Sequence, residues 1–217
     1  MHTNANGSAG RLPSRLYAIV DVDALVLGGW EVLPFVERCL EGGARLLQLR
    51  AKSLGAGAYA GLARRVLDRA GTGALVIIND RVDVALVTGA PGVHVGQEDL
   101  DPHAARVQLG PEAVVGVSTH TPEQIAVALS TPASYVAVGP VYATQTKATG
   151  YGAVGVGLVA QARAAAGPGR PVVAIGGITI DRVPEVIAAG ADAVAVIGGL
   201  IGGDPADRVR AYLDRLA

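Results

Sequence analysis

The sequence predicts a (β/α)8 barrel, the TIM-barrel class of α/β fold, built as one domain. Eight short apolar runs recur along the 217 residues, with segments of helical character between them. Half of the residues are hydrophobic and only 4% are aromatic, which indicates the aliphatic core of buried parallel strands. The alternative is a doubly wound open sheet, which normally has about five to seven strands. The regular alternation of strand and helix favours the closed barrel.

The predicted strands are the apolar runs themselves, each of four or five residues. They lie at residues 16–20, 45–49, 75–78, 92–95, 113–117, 135–138, 171–175 and 193–197. Three of the intervening helices begin with a capping residue followed by proline, at Asp101-Pro102, Thr121-Pro122 and Asp204-Pro205. Gly190 is expected to end a helix in the left-handed conformation. The long irregular stretch 139–155 is typical of a functional loop such as an active-site lid.

We expect residues 1–14 to form a flexible tail and residues 15–217 to form the catalytic barrel. The tail is rich in Gly, Asn, Ser and Ala and has no apolar segment of signal-peptide type. No run of about 18 apolar residues is present to span a bilayer. The single cysteine, Cys39, fits a reducing compartment and is predicted to be a buried core thiol. These features predict a cytoplasmic protein without a membrane partner.

The formal net charge is −1, which indicates neither a nucleic-acid partner nor an anionic membrane surface. Small-molecule substrates are therefore expected, and the sequence is compatible with a homo-oligomer without fixing the oligomeric state.

Charged side chains follow several predicted strands, where the catalytic residues of such barrels lie. Asp80 and Asp99 come just after the third and fourth strands, and two carboxylates at one rim suit Mg²⁺ bound together with substrate phosphate. Arg50, Lys52 and Lys147 would complete a diphosphate site. Either acid could instead cap a helix or a turn, and the cations could be solvated surface charges. Their common position at strand ends favours the anion site.

Two glycine pairs and two histidines complete the predicted rim. Glycines 176–177 and 198–199 follow the last two strands, where backbone N–H groups of such barrels bind a phosphate. The sequence thus predicts a second pocket, for a monophosphate. His94 lies inside a strand and is expected to be a hydrogen-bonded core or rim residue. His120 follows the fifth strand and lies on the predicted active rim.

Together these motifs resemble the thiamine phosphate synthase (thiamine-phosphate pyrophosphorylase) family, in order from about residue 15 to the C-terminus. The motifs are Gln48-Leu49-Arg50-x-Lys52, Ile78-Asn79-Asp80-Arg81, Gly96-Gln97-Glu98-Asp99, Gly116-Val117-Ser118-Thr119-His120, Gly139-Pro140, Thr144-x-Thr146-Lys147 and Ala174-Ile175-Gly176-Gly177. The resemblance implies coupling of 4-amino-2-methyl-5-hydroxymethylpyrimidine diphosphate with 4-methyl-5-(2-phosphooxyethyl)thiazole. The implied products are thiamine monophosphate and diphosphate.

The resemblance also implies a role for each matching residue. Asp80 and Asp99 would hold Mg²⁺ on the leaving diphosphate. The residues implied to bind the pyrimidine diphosphate are Gln48, Leu49, Arg50, Ala51, Lys52, Asn79, Ser118 and Lys147, of which Arg50, Lys52, Ser118 and Lys147 are the expected catalytic residues. The residues implied to receive the thiazole phosphate are Thr144, Gln145, Thr146, Gly177, Ile197 and Gly198. A dissociative substitution needs cationic stabilisation and exclusion of water more than acid–base catalysis.

The chain departs from the family pattern at three places. Ala51 stands where the family commonly has an acidic residue, and Gly198 stands where it often has serine. The segment 148–155 is richer in glycine than expected. Two alternatives remain at this stage: a thiazole tautomerase that uses His120 for proton transfer, and a non-catalytic phosphate-binding barrel.

Overall fold

The structure, a computed structural model, describes residues 12–144 and 150–217. Each strand pairs in parallel with the next, and the last pairs with the first, so the sheet closes into an eight-stranded barrel. The strands are Leu16–Asp21 (β1), Leu46–Arg50 (β2), Leu75–Asn79 (β3), Gly92–Val95 (β4), Val114–Thr119 (β5), Tyr135–Val138 (β6), Val172–Ile175 (β7) and Ala193–Val196 (β8). The predicted (β/α)8 barrel is confirmed, and the open sheet of the alternative is not formed.

Helices connect the strands on the outside of the barrel. They are Val22–Leu27 (α1), Val32–Glu41 (α2), Ala56–Ala70 (α3), Val82–Thr88 (α4), Pro102–Leu109 (α5), Pro122–Leu129 (α6), Gly155–Ala166 (α7), Val183–Ala188 (α8), Gly198–Ile201 (α9) and Pro205–Leu216 (α10). Short 3-10 turns lie at Gly167–Gly169 and Ile180–Arg182. The connections after β1 and β8 each contain two helices, which the sequence analysis did not anticipate.

The predicted helix ends are confirmed by their capping geometry. Asp101, Thr121 and Asp204 each accept backbone N–H hydrogen bonds at the start of α5, α6 and α10, with proline at the beginning of the helix. Gly190, just past α8, has a φ of 99°, a backbone conformation that residues other than glycine rarely adopt.

The core has two layers, because successive side chains of a strand point to opposite faces of the sheet. In β2, Leu47 and Leu49 pack outward against the helices, together with Cys39, whose prediction as a core thiol is confirmed. Leu46 packs inward, into an inner cluster that fills the barrel. The inner cluster consists of Tyr17, Ile19, Leu46, Ile77, Tyr135, Ala137, Val173, Ala193, Ala195 and Ile197.

The start of the chain is described from Leu12, which packs against the inner cluster. Residues 1–11 lie outside the described part, so the flexible tail stays a prediction. None of the helices in the described ranges has the length and apolar character needed to cross a bilayer.

Candidate active site

Arg50 is held at the mouth of the barrel by an acid from the neighbouring strand. Asp21 and Arg50 are register partners at the ends of β1 and β2, and Arg50 Nη1 lies 2.5 Å from Asp21 Oδ2. Asp21 is 2% exposed, and its other oxygen caps α1 through the Ala24 N–H. Arg50 Nε is buried and has no hydrogen-bond partner among the described residues. Because a buried donor normally has a partner, this N–H suits an oxygen of a bound anion.

Asp21 was missed in the sequence analysis. It follows the apolar run 16–20 directly, so the strand-end rule that identified Asp80 would also have identified it.

Asp80 faces Lys52 across the mouth. Lys52 Nζ lies 2.5 Å from Asp80 Oδ2, and Asp80 has a φ of 62°. Left-handed backbone is uncommon for residues other than glycine, although Asp and Asn are enriched there. The N-cap of α4 is Arg81 and carries no side-chain capping bond, so Asp80 pairs with Lys52 and does not serve as that cap.

Asp99 interacts directly with Asp80 and accepts a 2.7 Å hydrogen bond from the Gly96 N–H. Burial by itself raises the pKa of Asp80, but the hydrogen bonds from Lys52 and Asp99 outweigh it and hold that pKa below its usual range. Burial raises the pKa of Asp99, and Asp80 raises it further against the opposing effect of Gly96. The proximity of Asp80 therefore makes ionisation of the Asp99 carboxyl less favourable than that of an isolated aspartate.

The two acids fit a hard divalent cation only as part of its ligand set. Within residues 12–144 and 150–217, no group of three or more His, Cys, Asp or Glu side chains is arranged to hold a metal ion. Mg²⁺ commonly takes one or two carboxylates and completes its shell with water and substrate phosphate. The Asp80–Asp99 pair has this composition, and a cation would relieve the repulsion between its two charges.

The neutral residues predicted to bind the pyrimidine separate into two groups. Gln48, Asn79 and Ser118 are buried polar residues at 5%, 4% and 7% exposure, and Ser118 lines the cavity described below. The side chains of Leu49 and Ala51 pack in the outer core layer instead. Only the backbone of these two residues is therefore available to a ligand at the mouth.

A chain of buried side chains crosses the barrel interior from Gln48 to Ser118. Gln48 Nε2 donates to the Tyr17 hydroxyl over 2.9 Å, and Tyr17 bonds to the Tyr135 hydroxyl over 2.9 Å. His94 Nδ1 bonds to Tyr135 at 2.9 Å and His94 Nε2 to Ser118 Oγ at 2.8 Å. Burial raises the pKa of both tyrosines, which keeps them neutral. His94 is thus the hydrogen-bonded core histidine that its position predicted.

The other half of the mouth is a cavity of about 330 Å³ at the ends of β5 to β8. Thr144, Gly177, Ile197 and Gly198 line it, and these are residues that the resemblance implied to receive the thiazole phosphate. Gly177 has a φ of 64°, and a Cβ there would lie 2.8 Å from the carbonyl oxygen of Ala143. A side chain at position 177 would therefore collide with the loop that follows β6.

Two arginines, neither of which was predicted from the sequence, also line this cavity. Arg182 Nη1 donates to the Gly177 carbonyl and Arg208 Nε to the Gly199 carbonyl, each over 2.7 Å. Each guanidinium group thus contacts one of the glycine loops and keeps further N–H groups for an anion. Because both residues lie beyond the strand ends, on the helical segments that follow, a search of strand ends could not find them.

His120 also lines the cavity. Its Nδ1 donates to the Gly139 carbonyl over 2.5 Å, and its ring stacks on Tyr151 with centroids 3.9 Å apart. The predicted residues Gln145, Thr146 and Lys147 lie outside the described part of the chain, as do two further residues of the predicted lid, 148–149.

The chain is similar in sequence and in fold to known proteins. The family model for thiamine monophosphate synthase matches residues 16–200 of the chain. The chain belongs to this family. The predicted resemblance is therefore confirmed. The prediction of a transferase of thiamine biosynthesis is confirmed as well, at the level of the thiamine monophosphate synthase family.

Individual members of the family align over nearly the whole chain. The thiamine-phosphate synthase of Koribacter versatilis is 41% identical over 211 residues, which are 95% of this chain and 97% of the relative. That of Anaeromyxobacter dehalogenans is 41% identical over 200 residues, covering 92% and 87% of the two chains. The solved structure of the thiamine phosphate pyrophosphorylase from Pyrococcus furiosus has a TM-score of 0.83 at 28% identity, covering 93% of this chain and 95% of that one.

Proposed function

We propose that the protein couples 4-amino-2-methyl-5-hydroxymethylpyrimidine diphosphate to 4-methyl-5-(2-phosphooxyethyl)thiazole, forming thiamine monophosphate and releasing diphosphate. The observation that carries the proposal is the pairing, at one barrel mouth, of two anion sites of different construction. One contains the ion pairs Arg50–Asp21 and Lys52–Asp80, and the other is the glycine-lined cavity with Arg182 and Arg208. Two substrates that each carry a phosphate group need two such sites.

The cationic half suits the departure of the diphosphate. The bond between the pyrimidine methylene carbon and the diphosphate oxygen breaks first, and both bonding electrons leave with the oxygen. The electron-rich aminopyrimidine ring stabilises the resulting methylene cation, and the thiazole nitrogen then donates its lone pair to that carbon. Arg50 and Lys52, with Lys147 by family resemblance, would stabilise the charge that develops on the diphosphate. Fixed charges in a site with little water are effective in this role.

Asp80 and Asp99 are the residues that would hold Mg²⁺, because their interacting carboxylates offer the oxygen ligands this ion prefers. When bound, the ion would neutralise part of the charge on the diphosphate. We propose that Lys52 neutralises the charge of Asp80 and also contacts the diphosphate. Gln48, Asn79 and Ser118 would orient the pyrimidine.

The second half of the mouth suits a phosphate that takes no part in bond breaking. Its glycine backbone would let a ligand approach closely, and Arg182 and Arg208 add positive charge beside it. The apolar side chains of Ile175 and Ile197 line the same cavity, which favours the thiazole ring and disfavours water near the reactive cation.

One reaction mixture tests the proposal. The purified protein is incubated with both substrates and Mg²⁺, and thiamine monophosphate and diphosphate are both quantified over time. We expect equimolar products, none when either substrate is omitted, and a large loss of rate with a chelator in place of Mg²⁺. Binding of both compounds without product would instead indicate the non-catalytic barrel. Isomerisation of a thiazole phosphate without the pyrimidine, abolished in His120→Ala, would indicate the tautomerase.

A further inference from the structure

We infer that Tyr17, Tyr135 and His94 form a hydrogen-bond relay that couples the orientation of Gln48 to that of Ser118. We do not propose that these three side chains contact the pyrimidine diphosphate. They position it indirectly, through Gln48 and Ser118. The inference rests on the proposed function, because Gln48 and Ser118 are taken there as the pyrimidine-orienting residues.

The relay is continuous and buried along its whole length. Its four bonds measure between 2.8 and 2.9 Å, and no member is more than 7% exposed. The rings of Tyr135 and His94 stack with their centroids 5.6 Å apart. A Cβ on Gly116 would lie 2.1 Å from Tyr135 Cζ and 2.6 Å from His94 Nδ1. Glycine at 116 thus makes room for the central pair.

The donor at one end fixes the direction of every bond. Gln48 Nε2 donates to the Tyr17 hydroxyl, so the proton of Tyr17 is donated onward to Tyr135. If the His94 ring is uncharged, Tyr135 then donates to Nδ1, and the ring proton lies on Nε2, facing Ser118 Oγ. Ser118 lies on β5, next to β4 of the cationic half, and its hydroxyl proton is left for a ligand there.

Rotating the Gln48 amide by half a turn reverses all of these bonds. Its oxygen then accepts from Tyr17, and Ser118 donates to His94 at the far end. The two ends consequently present opposite hydrogen-bonding groups to a ligand. When Gln48 presents an acceptor, Ser118 presents a donor. When Gln48 presents a donor, Ser118 presents an acceptor. A mixed state would leave a buried donor or acceptor unpaired, which costs about 1–3 kcal/mol.

The proposed substrate matches one of these two states. Its exocyclic amino group is a donor and suits the Gln48 oxygen, while its diphosphate is an acceptor and suits the Ser118 hydroxyl. A ligand that engages one end therefore sets the other end in advance. Such preorganisation lowers the cost of ordering side chains on binding.

Kinetics on the complete chain test the coupling. Gln48→Met and Ser118→Ala are made singly and together, and kcat/KM for the pyrimidine diphosphate is measured at saturating thiazole phosphate. We expect the double variant to lose about fivefold less than the product of the two single losses. In a Tyr135→Phe background, which keeps the ring and removes the hydroxyl, the two losses should multiply to within about twofold. Tyr135→Phe alone should raise the KM for the pyrimidine diphosphate about tenfold with kcat and the thiazole KM little changed.

Tyr59→Phe is the matched control for this series. It also removes a buried hydroxyl, one that bonds to the Leu49 carbonyl and the Asn79 N–H and takes no part in the relay. Any general effect of losing a buried phenol should appear in this variant too, but the non-additivity between positions 48 and 118 should persist. Thermal melting of each variant confirms that it is folded.

A spectroscopic test needs no substrate and so separates this inference from the proposed function. The ring-nitrogen NMR shifts of His94 report which nitrogen carries the proton. Tyr17→Phe, at a residue bonded to Gln48 and Tyr135, should change the tautomer ratio at His94 by about twofold or more, and Tyr59→Phe should not.

An unchanged His94 tautomer ratio in Tyr17→Phe would overturn the relay. So would non-additivity that survives in the Tyr135→Phe background, or simple multiplication of the two losses in the otherwise unaltered chain. Failure of the unaltered protein to form thiamine monophosphate would overturn the proposed function and leave the NMR result standing.

Discussion

The two halves of the barrel mouth carry charge in different ways. At the ends of β1 to β4, charged side chains are already paired with one another as Arg50–Asp21 and Lys52–Asp80. At the ends of β7 and β8, glycine backbone lines a cavity and two arginines lie beside it. Among the described residues that line the second cavity there is no carboxylate. The first half holds opposing charges in balance, and the second presents a fixed positive surface.

This difference corresponds to the two proposed anions. A diphosphate gains charge as it leaves, so groups that respond to that change contribute to the rate. A phosphate that keeps its charge throughout needs shape and steady attraction, which contribute equally to the bound substrate and the transition state. Substitutions in the first half should therefore lower kcat, and substitutions in the second half should mainly raise the KM for the thiazole phosphate.

The largest effect is expected from Asp80→Asn, which keeps the shape and removes the charge that faces Lys52. We predict a fall in kcat of about 10³-fold, because several kcal/mol of transition-state stabilisation depend on the assembled charges. Steady-state kinetics with both substrates measure it. Asp83→Asn is the control, since this exposed acid pairs with Arg81 on the outside and should retain normal turnover. Equal turnover in the two variants would contradict the assignment of Asp80.

Asp21→Asn should have the largest effect on stability. Asparagine also caps helices well, so the substitution keeps the cap of α1 and removes only the ionic partner of Arg50. Leaving that buried guanidinium unpaired should cost about 3 kcal/mol of unfolding free energy, measured by urea denaturation. The matched control is Asp204→Asn, which removes a similar capping acid paired with Arg38 in an exposed position, where little change is expected. Similar losses in both variants would contradict the buried-pair account.

Arg208→Gln should weaken the second half alone. We predict about a tenfold rise in the KM for the thiazole phosphate, with kcat and the KM for the pyrimidine diphosphate little changed, because one phosphate-facing charge is lost. Arg210→Gln on the same helix removes an exposed arginine that pairs with Asp207, and it should have no effect. A rise in the KM for the pyrimidine diphosphate would contradict the assignment of Arg208 to the thiazole phosphate half.

The smallest effect is expected from Gly198→Ser, which restores the serine often found in the family. An added hydroxyl donor should lower the KM for the thiazole phosphate about two- to threefold. Steady-state kinetics of each protein over a series of thiazole phosphate concentrations measure such a difference. A higher KM would mean that the backbone at Gly198, rather than a hydroxyl, is what the phosphate requires.

The fold was predictable because local rules and global closure agree in this chain. No predicted strand end differs from the observed one by more than two residues, since each apolar run is followed directly by a glycine or a polar residue. The doubled helices after β1 and β8 were not predicted, because the two helices in each connection are separated by only a few residues in the sequence.

The candidate site was predictable where function follows a strand end. Asp80, Asp99, Arg50 and Lys52 meet this rule and lie on one side of the mouth, and Asp21 meets it too, although it was overlooked. Residues that act from a neighbouring element escape the rule. Arg182 and Arg208 reach the cavity from beyond the strands they follow.

The buried relay could not be read from spacing at all. Tyr17 and Tyr135 are 118 positions apart in the chain, and their hydroxyl groups meet only because the barrel closes. An alternating strand pattern shows that a side chain points inward, but the register between strands decides which partner it meets.

The account depends most on the claim that each half of the mouth serves its own substrate. The direct measurement is the pair of KM values in Lys52→Gln and in Arg208→Gln. We expect Lys52→Gln to lower kcat and, of the two KM values, to raise only that for the pyrimidine diphosphate. We expect Arg208→Gln to raise only the KM for the thiazole phosphate. Equal rises for both substrates in both variants would show one undivided anion site and contradict the account.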